Sequence, residues 1–191
     1  MLKGNPQVLP AVRKIKDMEA LLDSPFEYMV LLGGHLGQLK SMVDLARQNG
    51  KHILLHADLI DGLKNDEYAA EFLCQSIRPA GLISTRASVM KRTKQNKLIA
   101  IQRLFLIDSD AIEHSYALLE KTQPDYIEVL PGIMPTMIQE VKERTGIPVI
   151  AGGLIRTQQH IHDALGAGAS AITTSRRELW TEWLKADKTV K

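Results

Sequence analysis

The sequence of 191 residues is poor in cysteine and in aromatic side chains. It contains a single cysteine, Cys74, so no internal disulfide can form, and a reducing compartment is expected. Cys74 lies beside Phe72, Leu73 and Ile77, where a small buried side chain is the expected role. Aromatic residues make up 5% of the chain, which argues against an extended platform for stacking nucleic-acid bases.

Long apolar runs and a strong net charge are also missing. No run is long enough to span a bilayer and the N-terminus lacks the apolar core of a signal peptide, so we expect a cytoplasmic protein without a membrane partner. The formal net charge of +2 provides no overall attraction to nucleic acid. Any anionic partner therefore needs a local basic patch.

Several motifs of catalysis and cofactor binding are absent. There is no nucleophile elbow, P-loop or dinucleotide fingerprint, and Gly33–Gly37 has the wrong glycine spacing for the last of these. No Cys/His set has zinc spacing, so we expect no metal and no cofactor. Lys51 and Lys97 stand at the starts of predicted strands, the wrong end for a Schiff-base lysine in a barrel. We assign no catalytic residue.

The chain does contain a recurring unit, in which a short apolar strand ends in Gly, His, Asp, Ser or Thr and an amphipathic stretch follows. The units recur at intervals of roughly 18–29 residues and predict strands at Tyr28–Leu32, His52–Ala57, Gly81–Ser84, Ile99–Phe105, Tyr126–Leu130, Val149–Ala151 and Ala171–Thr174. Strands separated by helices run parallel, and polar residues at nearly every strand end favour a barrel over an open sheet.

The predicted fold is a TIM-like (β/α) barrel with about seven parallel strands. Because such barrels typically have about 250 residues, a reduced or irregular barrel with short loops is expected. One domain over residues 1–191 is predicted, with residues 1–10 as a leader, a first helix over Ala11–Leu22 and a C-terminal helix over residues 176–191.

The ends of the last two predicted strands suit a phosphate group. The glycines at one end let the backbone approach an anion closely, and the hydroxyl groups at the other add donors beside a helix N-terminus. The residues concerned are Gly152, Gly153, Thr174 and Ser175. The alternative is structural, with the glycines making a tight turn and the hydroxyl groups capping the last helix.

Charged or polar side chains occur in three other apolar strands. Arg103 and Glu128 interrupt two predicted neighbours, where they can form an ion pair at the barrel mouth or a buried pair that only fixes strand register. Gln102 must point to the face opposite Arg103 unless a bulge intervenes. His56 and Asp58 are two residues apart and are predicted to share one strand face, as a polar ligand-binding pair or as structural residues.

A basic run with no acidic residue follows the third predicted strand. Such a run is usually a solvated helix face, and its alternative role is to contact the phosphates of a nucleic acid. The cations of the run are Arg86, Lys91, Arg92, Lys94 and Lys97.

Five ordered motifs together resemble the glycerol-3-phosphate-responsive antiterminator family over nearly the whole chain. They are His56–Gly62, Gly81–Arg86, Gln102–Phe105, Glu128–Gly132 and Ala151–Ile155. The resemblance implies a small barrel-like regulator, not an enzyme, that binds glycerol 3-phosphate as an effector. It also implies that the loaded protein binds the leader mRNA of a glycerol operon and prevents termination of transcription.

The residue patterns and the resemblance both predict a small phosphorylated ligand at the barrel mouth. We expect the glycine and hydroxyl pairs to hold the phosphate. The polyol end would face His56, Asp58, Arg103 and Glu128, although Arg103 can also reach the phosphate. The alternatives are a sugar-phosphate isomerase, aldolase or epimerase, and a barrel with a vestigial pocket. The sequence leaves the oligomeric state open, a homo-oligomer included.

Overall fold

Eight parallel strands close into a barrel in the computed structural model, which describes Leu2 and residues 7–189. Each strand pairs with the next one along the chain, and the first also pairs with the last. The strands are β1 (Val8–Val12), β2 (Tyr28–Leu31), β3 (His52–His56), β4 (Gly81–Ser84), β5 (Ile99–Phe105), β6 (Tyr126–Leu130), β7 (Val149–Gly152) and β8 (Ala171–Thr174).

A helix follows each strand and packs on the outside of the barrel. Asp66, Asp108 and Thr157 begin three of these helices, because each side chain accepts a backbone N–H three residues further on. The helices are α1 (Ile15–Leu22), α2 (Leu36–Gln48), α3 (Glu67–Phe72), α4 (Ala87–Gln95), α5 (Ser109–Thr122), α6 (Pro135–Thr145), α7 (Gln158–Gly166) and α8 (Arg177–Thr189).

The apolar side chains form two separate layers. One cluster fills the inside of the barrel with inward-facing residues such as Leu54, Ile83, Ile101 and Ile150. A larger cluster lies between the strands and the helices. Because side chains alternate along a strand, every strand contributes to both layers and reads as a nearly continuous apolar run. An inward-facing polar side chain near the carboxyl ends of the strands lies at the end of the barrel where ligands bind.

The seven predicted strands are confirmed with ends within one residue, but the predicted strand count is wrong. The eighth strand is β1, which takes up the end of the predicted leader and the start of the predicted first helix. All five of its residues are buried, and Pro10 lies within it. Proline normally argues against a strand because it lacks an N–H donor. Here β1 pairs with β8 through Val8–Pro10 and with β2 through Ala11–Val12.

With β1 included, the barrel closes with eight strands. The prediction of a reduced or irregular barrel is therefore also wrong. The chain closes eight units in 191 residues, with α-helices from 6 residues in α3, which continues as a π-helix over Leu73–Ile77, to 14 in α5. Among the helices described, none combines the length and the apolar character needed to cross a membrane. Cys74 is buried, and burial raises the pKa of its thiol to about 11.

Candidate functional site

A cavity of about 330 Å³ opens at the carboxyl ends of the strands. This is the end of a parallel barrel where ligands bind, because the loops that follow the strands meet there. The apolar part of its wall comes from the strand ends and from the loops after β3 and β7. The polar part comprises Arg13, Arg103, Glu128, Arg156, Thr173, Thr174, Ser175 and Arg176.

The cavity wall carries a surplus of positive charge. Four arginines line it, whereas Glu128 is the one carboxylate among the lining residues. Arg176 also contacts Glu178 at 3.0 Å outside the cavity. Among the described residues, Arg13 and Arg156 have no ion pair. Because arginines present several N–H donors to an oxyanion, this wall suits a small phosphorylated or carboxylated ligand.

The floor of the cavity is a buried ion pair between adjacent strands. Arg103 and Glu128 stand opposite each other in the β5–β6 register, and Arg103 Nε donates to Glu128 Oε2 over 2.7 Å. The hydroxyl of Thr173 donates to the other oxygen, Glu128 Oε1, over 2.9 Å. The two charged side chains are 10% and 2% exposed. The predicted pairing is confirmed, and it explains how a carboxylate is tolerated inside the barrel.

The two predicted phosphate-binding glycines occupy different environments. Gly152 is buried, and a methyl group added to it would meet Thr173 Oγ1 at 2.5 Å and Glu128 Oε1 at 2.8 Å. Gly152 therefore makes room for the ion pair and does not line the cavity. Gly153 does line it, with φ of +73°, and the exposed Leu154 after it also has a positive φ of +57°. A non-glycine residue in this region is uncommon and is often found at functional sites.

The two predicted hydroxyl residues also differ. The Thr174 hydroxyl donates to the Ile155 carbonyl at 3.3 Å and accepts the Arg176 backbone N–H at 3.3 Å. It therefore joins the loops after β7 and β8 and has little capacity left for a ligand. Ser175 is exposed and lines the cavity between these loops.

His56 is buried and does not line the cavity. The side chain is 2% exposed, and neither ring nitrogen has a hydrogen-bond partner among the described residues. Burial and the positive charge of Arg103 lower the pKa of His56 to about 4, although the Asp58 carboxylate acts in the opposite direction. The imidazole is therefore neutral at neutral pH.

Asp58 does not share a strand face with His56, and that prediction is wrong. Strand β3 ends at His56, and Asp58 lies in the 3₁₀ turn Ala57–Leu59. Its carboxylate accepts hydrogen bonds from the Ser84 hydroxyl (2.5 Å) and from the backbone N–H (2.8 Å) and hydroxyl (3.0 Å) of Thr85. Asp58 therefore fixes the end of β4 and lines a neighbouring depression, not the cavity described above.

Gln102 points away from the barrel interior, as the alternation along β5 predicts. It is fully buried, and its side-chain amide donates to the Ser84 carbonyl over 3.2 Å. No bulge is needed to place it, because Arg103 and Gln102 take opposite faces of one regular strand.

Several lining residues were not predicted from the sequence. Arg13, Arg156 and Arg176 each come just after a strand, in loops where strand alternation no longer fixes the direction of a side chain. Arg13 directly follows β1, the strand that the sequence pattern does not predict. Thr173 could have been identified, because it is the inward-facing neighbour of Thr174 on the same short strand.

The basic run forms α4 and the turns around it, and part of its charge is neutralised. Arg92 lies within 3.6 Å of Glu67 and 3.8 Å of Glu71 on α3. Lys94 contacts the Gln123 carbonyl and lies 3.8 Å from Asp125. Lys97 lies at the opposite end of the barrel from the cavity, before β5. Arg86 and Lys91 are exposed.

Comparison with known proteins identifies close relatives. The family model described as "Glycerol-3-phosphate responsive antiterminator" matches residues 8–180. The crystal structure of a glycerol uptake operon antiterminator regulatory protein from Listeria monocytogenes is 49% identical, with a TM-score of 0.92 over 95% of this chain and 98% of that one. A glycerol uptake operon antiterminator-related protein from Thermotoga maritima is 27% identical, with a TM-score of 0.81 over 92% and 98%.

A curated relative and more distant barrels also match. The uncharacterized protein YgcP of Escherichia coli is 32% identical over 181 residues, which cover 95% of this chain and 94% of that protein. Solved aldolase structures include one that is 13% identical with a TM-score of 0.70, a likeness that extends to the fold alone.

Proposed function

Since the chain belongs to the glycerol-3-phosphate responsive antiterminator family, we propose that it binds glycerol 3-phosphate in the cavity at the barrel mouth and, when loaded, binds the leader mRNA of a glycerol operon. The observation that carries this proposal is the surplus of arginines around a cavity large enough for a small metabolite. In this role the ligand is an effector and not a substrate. The site of action is the cytoplasm, where nascent transcripts are made.

The charge distribution of the wall suggests how the ligand lies. Gly153, Ser175, Arg156 and Arg176 come from the loops after β7 and β8, and together they offer backbone, hydroxyl and guanidinium donors to a phosphate. The polyol end then lies over Arg103, whose partner Glu128 is already engaged. We therefore assign structural roles to four residues predicted to bind the ligand. Gly152 and Thr174 position the ion pair and the loops that line the cavity, and His56 and Asp58 lie outside the cavity lining.

The regulatory step requires that RNA binds the loaded form better than the free form. A coupling free energy of about 1–3 kcal/mol between the two sites would be sufficient, because it corresponds to a change in affinity of roughly 5- to 150-fold. The loops after β7 and β8 are the candidates to transmit it, since they both line the cavity and reach the surface.

Calorimetric titration with glycerol 3-phosphate tests the first half of this proposal. We expect the Arg156→Gln variant to bind the ligand roughly tenfold more weakly, or worse, because a hydrogen bond to a charged group contributes about 1.5–3 kcal/mol. Arg47→Gln is the matched control, since Arg47 is an exposed arginine on α2 that pairs with Asp44. Equal loss in both variants, or no binding by the wild type, would contradict the assigned site.

Filter binding of a leader transcript of a glycerol-uptake operon, with and without glycerol 3-phosphate, tests the second half. The ligand should tighten RNA binding, and free glycerol should not, because it lacks the phosphate that the arginines would hold. The same RNA affinity with and without glycerol 3-phosphate would rule out the proposed control of RNA binding by the effector.

A further inference from the structure

The mouth of the barrel carries an exposed apolar surface beside the cavity. We call it the apolar arc, and it comprises Phe105, Ile107, Ile133 and Leu154, which are 47%, 76%, 38% and 51% exposed. These residues lie on the carboxyl ends and following loops of the adjacent strands β5, β6 and β7. Exposed apolar side chains that cluster on one face indicate an interaction site, whereas isolated ones do not.

Backbone contacts hold the members of the apolar arc together. Phe105 pairs in register with Leu130, and the Leu106 N–H donates to the Leu130 carbonyl over 2.8 Å. Gly132, which precedes Ile133, donates its N–H to the Gly152 carbonyl over 2.5 Å. The loops after β5, β6 and β7 are thus joined side by side along the rim, where the members of the apolar arc are exposed.

Positive side chains occupy the neighbouring part of the rim. We call this the cationic arc, and it comprises Arg13, Lys14, Arg156 and Arg176, all of them exposed. They follow β1, β7 and β8, which are adjacent in the barrel. Glu178 is the one carboxylate paired with the arc among the described residues. The two arcs meet in the loop after β7, which contributes Leu154 to one and Arg156 to the other.

Resting on the RNA-binding role proposed above, we propose that a single-stranded segment of RNA binds across both arcs, over the effector in the cavity. Cations adjacent to exposed apolar and aromatic side chains are the combination that binds single strands, because phosphates pair with the cations while unstacked bases contact the apolar groups. A single aromatic, Phe105, serves as the stacking surface. The α4 run also lies near exposed aromatic side chains, Tyr68 and Phe72 on the adjacent helix α3, but its Arg92 and Lys94 lie within ion-pair distance of carboxylates.

The position of the arcs also accounts for control by the effector. Leu154 and Arg156 belong to the arcs and also line the cavity. Between them and β7 lies Gly153, and both Gly153 and Leu154 have the left-handed backbone conformation. A phosphate held by this loop would fix one conformation of the segment that carries part of both arcs, so that the loaded form is the one that fits RNA.

Five single variants separate this surface from the α4 run. Phe105→Ala and Ile107→Ser change the apolar arc, and Lys14→Gln changes the cationic arc. None of these three residues lines the cavity. Tyr68→Ala on α3, which is 72% exposed, and Lys91→Gln on α4 are the matched apolar and cationic controls. Each protein is titrated with glycerol 3-phosphate and then, at saturating effector, with the leader transcript over a range of salt concentrations.

We expect Phe105→Ala to weaken RNA binding about tenfold, the typical effect of removing one base-stacking side chain. Lys14→Gln should reduce the slope of the salt dependence by about 0.7, the value for one phosphate contact on a single strand. Affinity for the effector should not change in either variant. Both controls should bind RNA and effector as the wild type does.

Three outcomes would overturn the assignment. Wild-type RNA affinity in all three arc variants, or a loss confined to Lys91→Gln, would place the RNA elsewhere while leaving the regulatory role intact. Dissociation of a dimer by Phe105→Ala, with RNA binding unchanged, would show that the arcs join two copies of the chain. If wild-type protein binds effector but no leader RNA in any condition, the proposed function fails together with this surface.

Discussion

Replacing Gly152 by alanine tests whether the buried ion pair is held in place by packing. The added methyl group would lie 2.5 Å from Thr173 Oγ1 and 2.8 Å from Glu128 Oε1, well inside normal contact distances. Neither group can swing aside freely, because both are buried and they are hydrogen-bonded to each other at 2.9 Å. Overpacking costs about 1–3 kcal/mol, and a buried acceptor left unpaired costs about as much again.

We therefore expect Gly152→Ala to lower the free energy of unfolding by about 2–4 kcal/mol, measured by urea denaturation. Gly166→Ala is the matched control, because a methyl group there meets no atom within 4 Å and the residue is helical with ordinary φ. The control should be neutral or stabilise by up to about 1 kcal/mol, the advantage of alanine over glycine in a helix. Equal stability of the two variants would refute the packing argument.

A double variant identifies the atom responsible. Thr173→Ala removes the nearest obstacle to the new methyl group, so Gly152→Ala should cost about 1 kcal/mol less in that background than in the wild type. If the two costs simply add, the destabilisation arises from something other than the contact with Thr173.

Three further measurements test the buried ion pair and two buried titratable side chains. Glu128→Gln should destabilise the fold by about 3–5 kcal/mol in urea denaturation, because it leaves Arg103 buried without its counter-charge, and an unchanged stability would contradict that role. The pKa of His56 is lowered to about 4 from 6.5, so the folded state binds fewer protons than the unfolded state below pH 6.5. The free energy of unfolding should therefore fall by about 3 kcal/mol as the pH drops from 6.5 to 4. In His56→Asn this contribution to the pH dependence of stability should be lost. Cys74 should react with a thiol reagent only after unfolding, since burial raises its pKa to about 11, and rapid labelling of the native protein would show that the thiol is accessible.

The sequence was sufficient to predict seven of the eight strands and the ion pair in the site, but not the charge of the cavity. Alternation along β5 and β6 puts Arg103 and Glu128 on the same inward row, so their contact follows from strand geometry alone. Arg156 and Arg176 lie in loops, where direction depends on contacts such as those of Thr174 with the neighbouring loop. Local sequence does not determine such contacts, because they join residues that are distant in the chain.

The strand β1 shows a different limit of sequence-based prediction. Its five residues satisfy the burial pattern of a barrel strand, but Pro10 interrupts the pattern that local rules require. The barrel tolerates the proline because each half of β1 pairs with a different neighbour. Only closure of the ring, a property of all eight units together, reveals that an additional strand is needed between β8 and β2.

The same contacts also explain why the barrel suits a regulator better than an acid–base enzyme. The enzyme hypothesis depends on His56, Asp58 and Glu128 as proton donors or acceptors, and a general base must reach the proton that it removes. Both oxygens of Asp58 accept bonds from the end of β4, and both oxygens of Glu128 accept bonds from Arg103 and Thr173. His56 is buried outside the cavity lining, with a pKa lowered to about 4. The charged side chains of the cavity wall that remain available are arginines, which donate hydrogen bonds to an anion and do not remove a proton from it.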